Sequence, residues 1–341
     1  MKDVLILSIE SSCDETSAAV LRGQEVLSNV IATQKIHEKF GGVVPELASR
    51  AHQVNILPVV HQALEEANCN IKDIKCIACT SGPGLLGALL VGVSFAKSLS
   101  LALNIPLVLV DHMQAHVLAH FIHRSNDEIS NPKFPMLCLT VSGGHTQLVE
   151  VNAPLDMRVI GKTIDDAAGE AFDKAAKVLG LPYPGGPLVD KYAQEGNPSR
   201  FQFTIPETPH LSYSFSGLKT SLLYFLKKEV ATNPNFISEN LSDICASYQN
   251  TIVTYLLKKV QKALDESNYS SMSLAGGVSA NSLLRKRFLE LGVKNNIEVF
   301  IPSFEFTTDN AAMIGGAGFF KYQAGQFSPL DEAPNPRASI I

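Results

Sequence analysis

The feature that most constrains the fold is the internal repetition of two structural patterns. Residues 4–20 and 136–151 each read as an apolar strand, a short turn of small and polar residues, and a second strand. Residues 76–101 and 271–291 each read as a strand, a glycine-rich loop and a helix. Turns and loops of these kinds can direct backbone N–H groups toward an anion. The repetition predicts a duplicated α/β fold of two lobes with a ligand cleft between them.

Composition narrows the class of protein. Hydrophobic residues make up 45% of the 341 residues and charged residues 18%, so the chain can bury a large core. The net charge of −5 excludes a strongly basic nucleic-acid-binding surface, and a polyanion would need a local patch or a partner protein. The uncharged run from Thr80 to Ala96 is shorter than the ~20 residues of a membrane span, which favours a buried helix. Without a signal-peptide pattern we expect a cytoplasmic protein with reduced cysteines.

Further helices are predicted along the chain, over 46–68, 111–124, 165–179 and 309–323, and residues 239–267 should form one long amphipathic helix or two short ones. Pro58 should kink or break the first of them. The last is rich in small residues, and we expect it to pack closely on the helix of residues 85–101. The proline-rich tail from Phe327 is expected to be loosely held.

Two histidines four residues apart, His112 and His116, stack on one face of a helix, a spacing that suits two ligands of one metal. A solvated or core-facing helix surface is the alternative. Asp309 precedes the last predicted helix and reads either as a helix-capping acid or as a third, carboxylate ligand. A zinc peptidase would need Glu directly after the first histidine, where this chain has Met113.

Several polar and glycine positions could contact a nucleotide. The turns at 142–145 and 275–278 resemble phosphate-contacting turns, with tight hairpin turns as the alternative. Asp173 could accept from a ribose diol or be a solvated helix acid, and Asp190 has the same ambiguity. Asn281 could bind a base or ribose, or simply start a helix.

Taken together, these segments resemble one family. The motifs that carry the resemblance run in order from about residue 4 to about residue 325: SIESSCDETSAAV, GGVVPELASRAH, TSGPGLLGALLVG, DHMQAHVLAH, VSGGHTQL, DDAAGEAFDK, YPGGP, FSGLK, AGGVSAN and TDNAAMIG. They are similar to the tRNA threonylcarbamoyladenosine enzymes, the bacterial TsaD family, once described as O-sialoglycoprotein endopeptidases.

The resemblance implies an actin-like ATPase fold, shared with sugar kinases and Hsp70, with two duplicated lobes around a nucleotide cleft. The expected lobes are residues 1–133 plus 304–341, and residues 134–303. The implied reaction transfers the threonylcarbamoyl group from threonylcarbamoyl-adenylate to the exocyclic amine of an adenosine in tRNA. That adenosine lies beside the anticodon of tRNAs reading codons that start with A, and AMP is released.

The resemblance also implies the site residues. The family's metal ligands correspond here to His112, His116 and Asp309, with iron(II) favoured and zinc as the alternative. The positions that match substrate contacts are Thr140, Val141, Ser142, Gly143, Gly144, Asp173, Gly186, Asp190 and Asn281. Some relatives have a tyrosine ligand where this chain has Thr140, which leaves a fourth coordination position to water or substrate. The catalytic base is unknown, and Glu10, Asp14 and Glu15 in the first hairpin are candidates.

The implied ligands and partners complete this expectation. The cleft should hold threonylcarbamoyl-adenylate or ATP/ADP, and the partners are tRNA, a paralogous actin-fold protein (TsaB-like) and a small P-loop ATPase (TsaE-like), with no membrane. The alternatives are an ATP-dependent small-molecule kinase or ATPase of the same fold, and a nucleotide-binding module that regulates a partner complex.

Overall fold

The computed structural model describes residues 3–127 and 131–340. In this part of the chain the strands are β1 (Leu5–Glu10), β2 (Glu15–Arg22), β3 (Glu25–Thr33), β4 (Cys76–Gly82), β5 (Leu107–Asp111), β6 (Met136–Val141), β7 (Thr146–Ala153), β8 (Asp156–Lys162), β9 (Ser271–Ala275) and β10 (Glu298–Phe300). The helices are α1 (Pro45–Glu66), α2 (Leu86–Leu103), α3 (His112–Leu118), α4 (Ala168–Val178), α5 (Gly186–Ala193), α6 (Ser216–Thr232), α7 (Phe236–Glu266), α8 (Ser282–Asn295) and α9 (Ala311–Gln323). Residues 1–2 of the predicted first lobe, together with 128–130 and 341, lie outside the described residues.

Two five-stranded sheets repeat one strand order. The first runs β3-β2-β1-β4-β5, and the second, read from its other edge, runs β8-β7-β6-β9-β10. In each, a hairpin is antiparallel (β1 with β2, β6 with β7), and the hairpin's first strand pairs in parallel with the strand of the later strand–loop–helix segment. The internal repetition seen in the sequence is therefore a repetition of topology, and the predicted hairpins and strand–loop–helix segments are confirmed.

The chain divides into two compact units. One comprises Met1–Pro132, Ala153–Met157 and Pro302–Ile341, and the other Lys133–Asn152 and Arg158–Ile301. In the first unit, alternate residues of β1 and β4, such as Leu7, Ile9 and Ile77, pack with α1 and α2. In the second, β6 and β9 pack with α4, α6 and α7 around Phe172, Tyr213 and Tyr248.

The packing of α9 differs from our expectation. Two of its three glycines face the sheet, because a Cβ on Gly318 would lie 2.6 Å from Ala78 Cβ and one on Gly315 would lie 2.9 Å from Ser8 Oγ. Ser8 and Ala78 alternate along β1 and β4 with the residues that face α1 and α2. The prediction that this helix packs on α2 is therefore wrong: α9 covers the opposite face of the first sheet.

The C-terminal tail is also held more firmly than predicted. The Asn335 N–H donates to Ser81 O at 2.7 Å, and the Gly84 N–H donates to Pro336 O at 3.2 Å. Lys97 Nζ donates to Glu332 O at 2.6 Å. The proline-rich composition removes donors but leaves carbonyls and the remaining N–H groups to bond with the end of β4, with α2 and with the loop between them.

Other helix predictions are confirmed with adjusted bounds. α1 runs through Pro58 without ending there. The segment 111–124 forms α3 and a short 3-10 turn, and α7 is one long element with a kink at Asn240. α2 is long and apolar enough to span a membrane by length and composition alone. Its residues Leu89, Val93 and Ala96 are buried against the sheet, as the core-helix interpretation predicts.

Candidate functional site

The start of α3 presents two histidines on one face. The Asp111 carboxylate, at the end of β5, accepts a hydrogen bond from the Gln114 N–H at 2.8 Å, so the helix begins directly after the strand. His112 and His116 are then one helical turn apart. Their ring centroids are 4.7 Å apart with the ring planes perpendicular, and both residues are buried.

Asp309 meets these histidines from the start of α9. Asn310 caps that helix, because its Oδ1 accepts from the Met313 N–H at 3.0 Å. Asp309 is thereby free to turn its Oδ1 toward the rings, 3.1 Å from His116 Nε2 and 3.3 Å from His112 Nε2. Ligand atoms of the three side chains all lie within 4.8 Å of one another, and the group could hold a metal ion.

The charges of this group are strongly coupled. Burial alone would raise the pKa of Asp309, but His112 and His116 hold it well below its usual value. Burial likewise opposes protonation of His112, yet Asp309 and Glu10 raise the pKa of His112 well above its usual value. The carboxylates of Asp309 and Glu10 therefore concentrate negative charge around the His112 ring, and a bound cation or a proton would neutralise that charge.

The three acidic residues of the first hairpin differ in their surroundings. Glu10 ends β1 with no exposed surface, and its Oε2 lies 3.0 Å from His112 Nδ1. Asp14 and Glu15 lie on the turn and at the start of β2, and both are half-buried. Burial, followed by the charges of Asp309 and Asp14, raises the pKa of Glu15 to about 9.

The second unit brings together the predicted turns. Thr140 and Val141 are buried at the end of β6, and the turn that follows is closed by the Ser142 N–H donating to His145 O at 2.8 Å. A Cβ on Gly276 would lie 2.5 Å from Val141 O, so only glycine lets the turn after β9 approach β6 this closely. Three glycines of these turns have open space beside their Cα atoms, because a Cβ built there would have no neighbour within 4 Å: Gly143, Gly144 and Gly277.

The other predicted contact residues are each hydrogen-bonded within the same unit. Asp173 Oδ1 accepts from the Gly185 and Gly186 N–H groups at 2.8 and 3.0 Å. Asp190 accepts from Ser282 Oγ at 2.7 Å. Next to Ser282, Asn281 caps α8 through the Leu284 N–H at 3.0 Å. Asp173, Asp190 and Asn281 therefore have structural partners in addition to any ligand.

Two residues beside the histidine–aspartate group escaped the sequence analysis. The Thr80 hydroxyl donates to Glu10 Oε2 at 2.5 Å, and Ser12 Oγ lies 3.3 Å from His112 Nδ1. The pairing of β1 with β4 would have indicated Thr80. In this parallel register Ile9 lies opposite Cys79, so Glu10 is level with Thr80. That register becomes visible only once β1 and β4 are known to be neighbours.

The two repeated sheets define an α/β protein with the actin-like ATPase fold, and solved structures share this fold. The Acidaminococcus fermentans (R)-2-hydroxyglutaryl-CoA dehydratase component A is 14% identical with a TM-score of 0.56, over 94% of this chain and 98% of that one. T. kodakarensis HypF is 14% identical with a TM-score of 0.60, over 95% of this chain and 48% of that one. The predicted fold class is confirmed.

Sequence comparison gives the family. The profile of TsaD, tRNA N6-adenosine threonylcarbamoyltransferase, matches residues 25–316. Proteins of that name from Christiangramia forsetii and Porphyromonas gingivalis are 58% and 55% identical to this chain. The matches cover 97% of both chains for the first and 99% of both for the second. The chain belongs to the TsaD family, as the motifs predicted, and relatives of this name lend no support to the kinase alternative.

Proposed function

We propose that this chain is an enzyme that transfers a threonylcarbamoyl group to the N6 amine of an adenosine in tRNA. The observation that carries the proposal is the near full-length identity of 49–58% to bacterial relatives of that name. The donor would be threonylcarbamoyl-adenylate, the acceptor the adenosine beside the anticodon of tRNAs that read codons starting with A, and the by-product AMP.

In the first unit, His112, His116 and Asp309 would hold one metal ion. Two imidazole nitrogens and one carboxylate oxygen are a donor set that suits iron(II) or zinc, and the ligand atoms already face one another. We favour iron(II), with zinc as the alternative. Such an ion, when bound, polarises a carbonyl or phosphoryl oxygen. Fewer than four protein ligands leave coordination positions for substrate or water.

In the second unit, the glycine turns would bind the adenylate or ATP/ADP. The open faces of Gly143, Gly144 and Gly277 allow close approach of a phosphate to the backbone. Thr140, Val141 and Ser142 set the position of the first turn. The residues that would contact the nucleoside are Asp173, Gly186, Asp190 and Asn281, each held by hydrogen bonds within the unit. Holding the adenylate fixes the reactive carbon for attack by the adenosine amine.

The general base is sought among Glu10, Asp14 and Glu15. Asp14 and Glu15 retain exposed surface that a substrate can reach, whereas Glu10 has none. The pKa of Glu15, raised to about 9, keeps its carboxyl protonated at neutral pH, which favours Asp14 of these two. A charge of −5 gives the chain little general affinity for RNA, which favours help from partner proteins. The proposed partners are a TsaB-like actin-fold paralogue and a TsaE-like P-loop ATPase, acting in the cytoplasm and away from membranes. Exposed apolar side chains on α1 and α2, including Val54, Leu57 and Leu86, suit the paralogue.

A reconstitution tests the function. Purified chain, partner proteins, threonine, bicarbonate, ATP and unmodified tRNA should yield threonylcarbamoyladenosine, measured by mass spectrometry of digested tRNA. The double variant His112→Ala/His116→Ala should lose at least a hundredfold of the rate, because it removes two of three ligands. The matched control His210→Ala, at an exposed position on the second unit, should keep full activity. Full modification by the folded double variant would contradict the metal's role, and no product with the native chain would contradict the function.

A further inference from the structure

Both carboxylate oxygens of Glu10 have hydrogen-bond partners inside the first unit. Its Oε1 accepts from the Ser12 N–H at 2.5 Å, and its Oε2 accepts from the Thr80 hydroxyl at 2.5 Å and lies 3.0 Å from His112 Nδ1. The residue has no exposed surface. A general base must reach the proton that it abstracts from a substrate, and this carboxylate faces only protein. Its geometry points to another role.

We propose that Glu10 is a positioning residue that fixes the tautomer and orientation of His112 for metal binding. An ionised carboxylate only accepts hydrogen bonds, so the Nδ1 beside it carries the proton. The lone pair of a neutral ring then lies on Nε2, the atom that faces Asp309 Oδ1 at 3.3 Å. Carboxylate–histidine–metal arrangements of this kind raise the basicity of the ligand and fix its direction. The inference rests on the proposed metal site and adds a residue to it.

The second histidine provides an internal contrast. His116 also presents Nε2 to Asp309, but its Nδ1 is buried and has no hydrogen-bond partner in the described part of the chain. Packing within α3 must hold that ring, whereas His112 is the first residue of the helix and has fewer helical neighbours. The carboxylate therefore supports the less constrained of the two rings.

The strand end that carries Glu10 is rigidly held. The Leu85 N–H donates to Ser12 O at 2.8 Å, and a Cβ on Gly84 would lie 2.6 Å from that same oxygen. The parallel pairing of β1 with β4 places Thr80 against Glu10. A carboxylate fixed by the sheet and by the loop before α2 gives His112 a preorganised partner.

The substitution Glu10→Gln tests the proposal. The Ser12 and His112 donors approach different oxygens of Glu10, and an amide offers only one oxygen, so its NH₂ must oppose one of them. We expect the dissociation constants of Zn²⁺ and Co²⁺ to rise about 10–100-fold, with a changed visible spectrum of the Co²⁺ protein. The control Glu46→Gln, at an exposed position on α1, should bind as the native chain does.

A measurement on the native chain avoids dependence on how the variant folds. In the Zn²⁺-loaded protein, ¹⁵N NMR of labelled histidine should show His112 protonated at Nδ1. A proton on Nε2, or Glu10→Gln binding within twofold of native, would overturn the proposal. The metal site itself is tested separately: if His112→Ala/His116→Ala leaves Zn²⁺ affinity unchanged, the proposed metal site fails. Native binding that is lost in the double variant but indifferent to Glu10→Gln rejects only the role of Glu10.

Discussion

Zinc binding to His112, His116 and Asp309 should tighten steeply with rising pH. The carboxylates of Asp309 and Glu10 raise the pKa of His112 well above its ordinary value, against the opposing effect of burial. At neutral pH the metal-free protein therefore carries a proton on the ring that must supply a lone pair. Ion and proton compete for His112 Nε2, so each ion that binds displaces at least the proton of this ring.

The size of the effect follows from that count. One displaced proton changes the dissociation constant tenfold per pH unit, or about 1.4 kcal/mol, so the constant should fall at least about 30-fold between pH 6 and 7.5. The contribution of His112 to the folding stability of the metal-free chain changes in the opposite direction and falls with rising pH. The raised pKa of His112 stabilises the folded state below about pH 6.5, and that contribution is lost as the pH rises through the folded-state value. Asp309, with its lowered pKa, contributes above about pH 4 and loses its contribution as the pH falls.

Competition with a chromophoric chelator of known proton affinity, at constant ionic strength, measures this dependence. The slope of log Kd against pH should be −1 or steeper from pH 6 to 7.5. The gap in melting temperature between zinc-loaded and metal-free protein should widen over the same range. The variant His210→Ala, whose ring lies outside the group, should keep the native slope. A native Kd that changes less than twofold across this range would refute the proton competition.

Two further predictions concern packing and partners. Gly318→Ala places a Cβ 2.6 Å from the Ala78 Cβ on a buried strand, so overpacking of about 1–3 kcal/mol should outweigh the gain in helix propensity and lower the urea midpoint. The control Gly217→Ala meets atoms no nearer than 3.7 Å and should cause no loss, and equal midpoints for both would contradict this reasoning. Leu57→Lys, on the exposed face of α1, should weaken co-elution with the actin-fold paralogue at least tenfold, whereas Leu289→Lys on α8 should not; equal co-elution would reject that face.

Much of the fold was predictable because its signals are local. Apolar runs ended by small polar residues predicted both hairpins, and a glycine-rich loop after a strand predicted α2 and α8. Their repetition in one order then predicted the duplication. Each of these patterns depends on neighbours within about 20 residues, which is the range over which strand and helix periodicity can be read.

The two errors arose where packing partners are distant in sequence. The small residues of α9 correctly indicate close approach of a backbone, but both α2 and the sheet carry small residues, and the pattern does not choose between them. The alternation along β1 and β4 makes that choice. The tail looked loose because proline disrupts regular structure, although irregular backbone can still bond with a strand end and the loop after it, here Ser81 and Gly84.

The candidate metal group shows the same division at atomic scale. The spacing of His112 and His116 is local and visible in the sequence, but Asp309 lies 193 residues beyond His116, and only the docking of α9 on the sheet brings its start to α3. The sequence offered Asp309 a competing role as a helix cap, and the structure removes that competition because Asn310 is the cap. Glu10 is the opposite case. Its carboxyl group made it a candidate for the general base, but its burial between Ser12, Thr80 and His112 favours the role of a positioning residue. The chemical type of a residue indicates which roles it can have. A residue can act on a substrate only if some of its hydrogen-bonding atoms are not already bonded to protein.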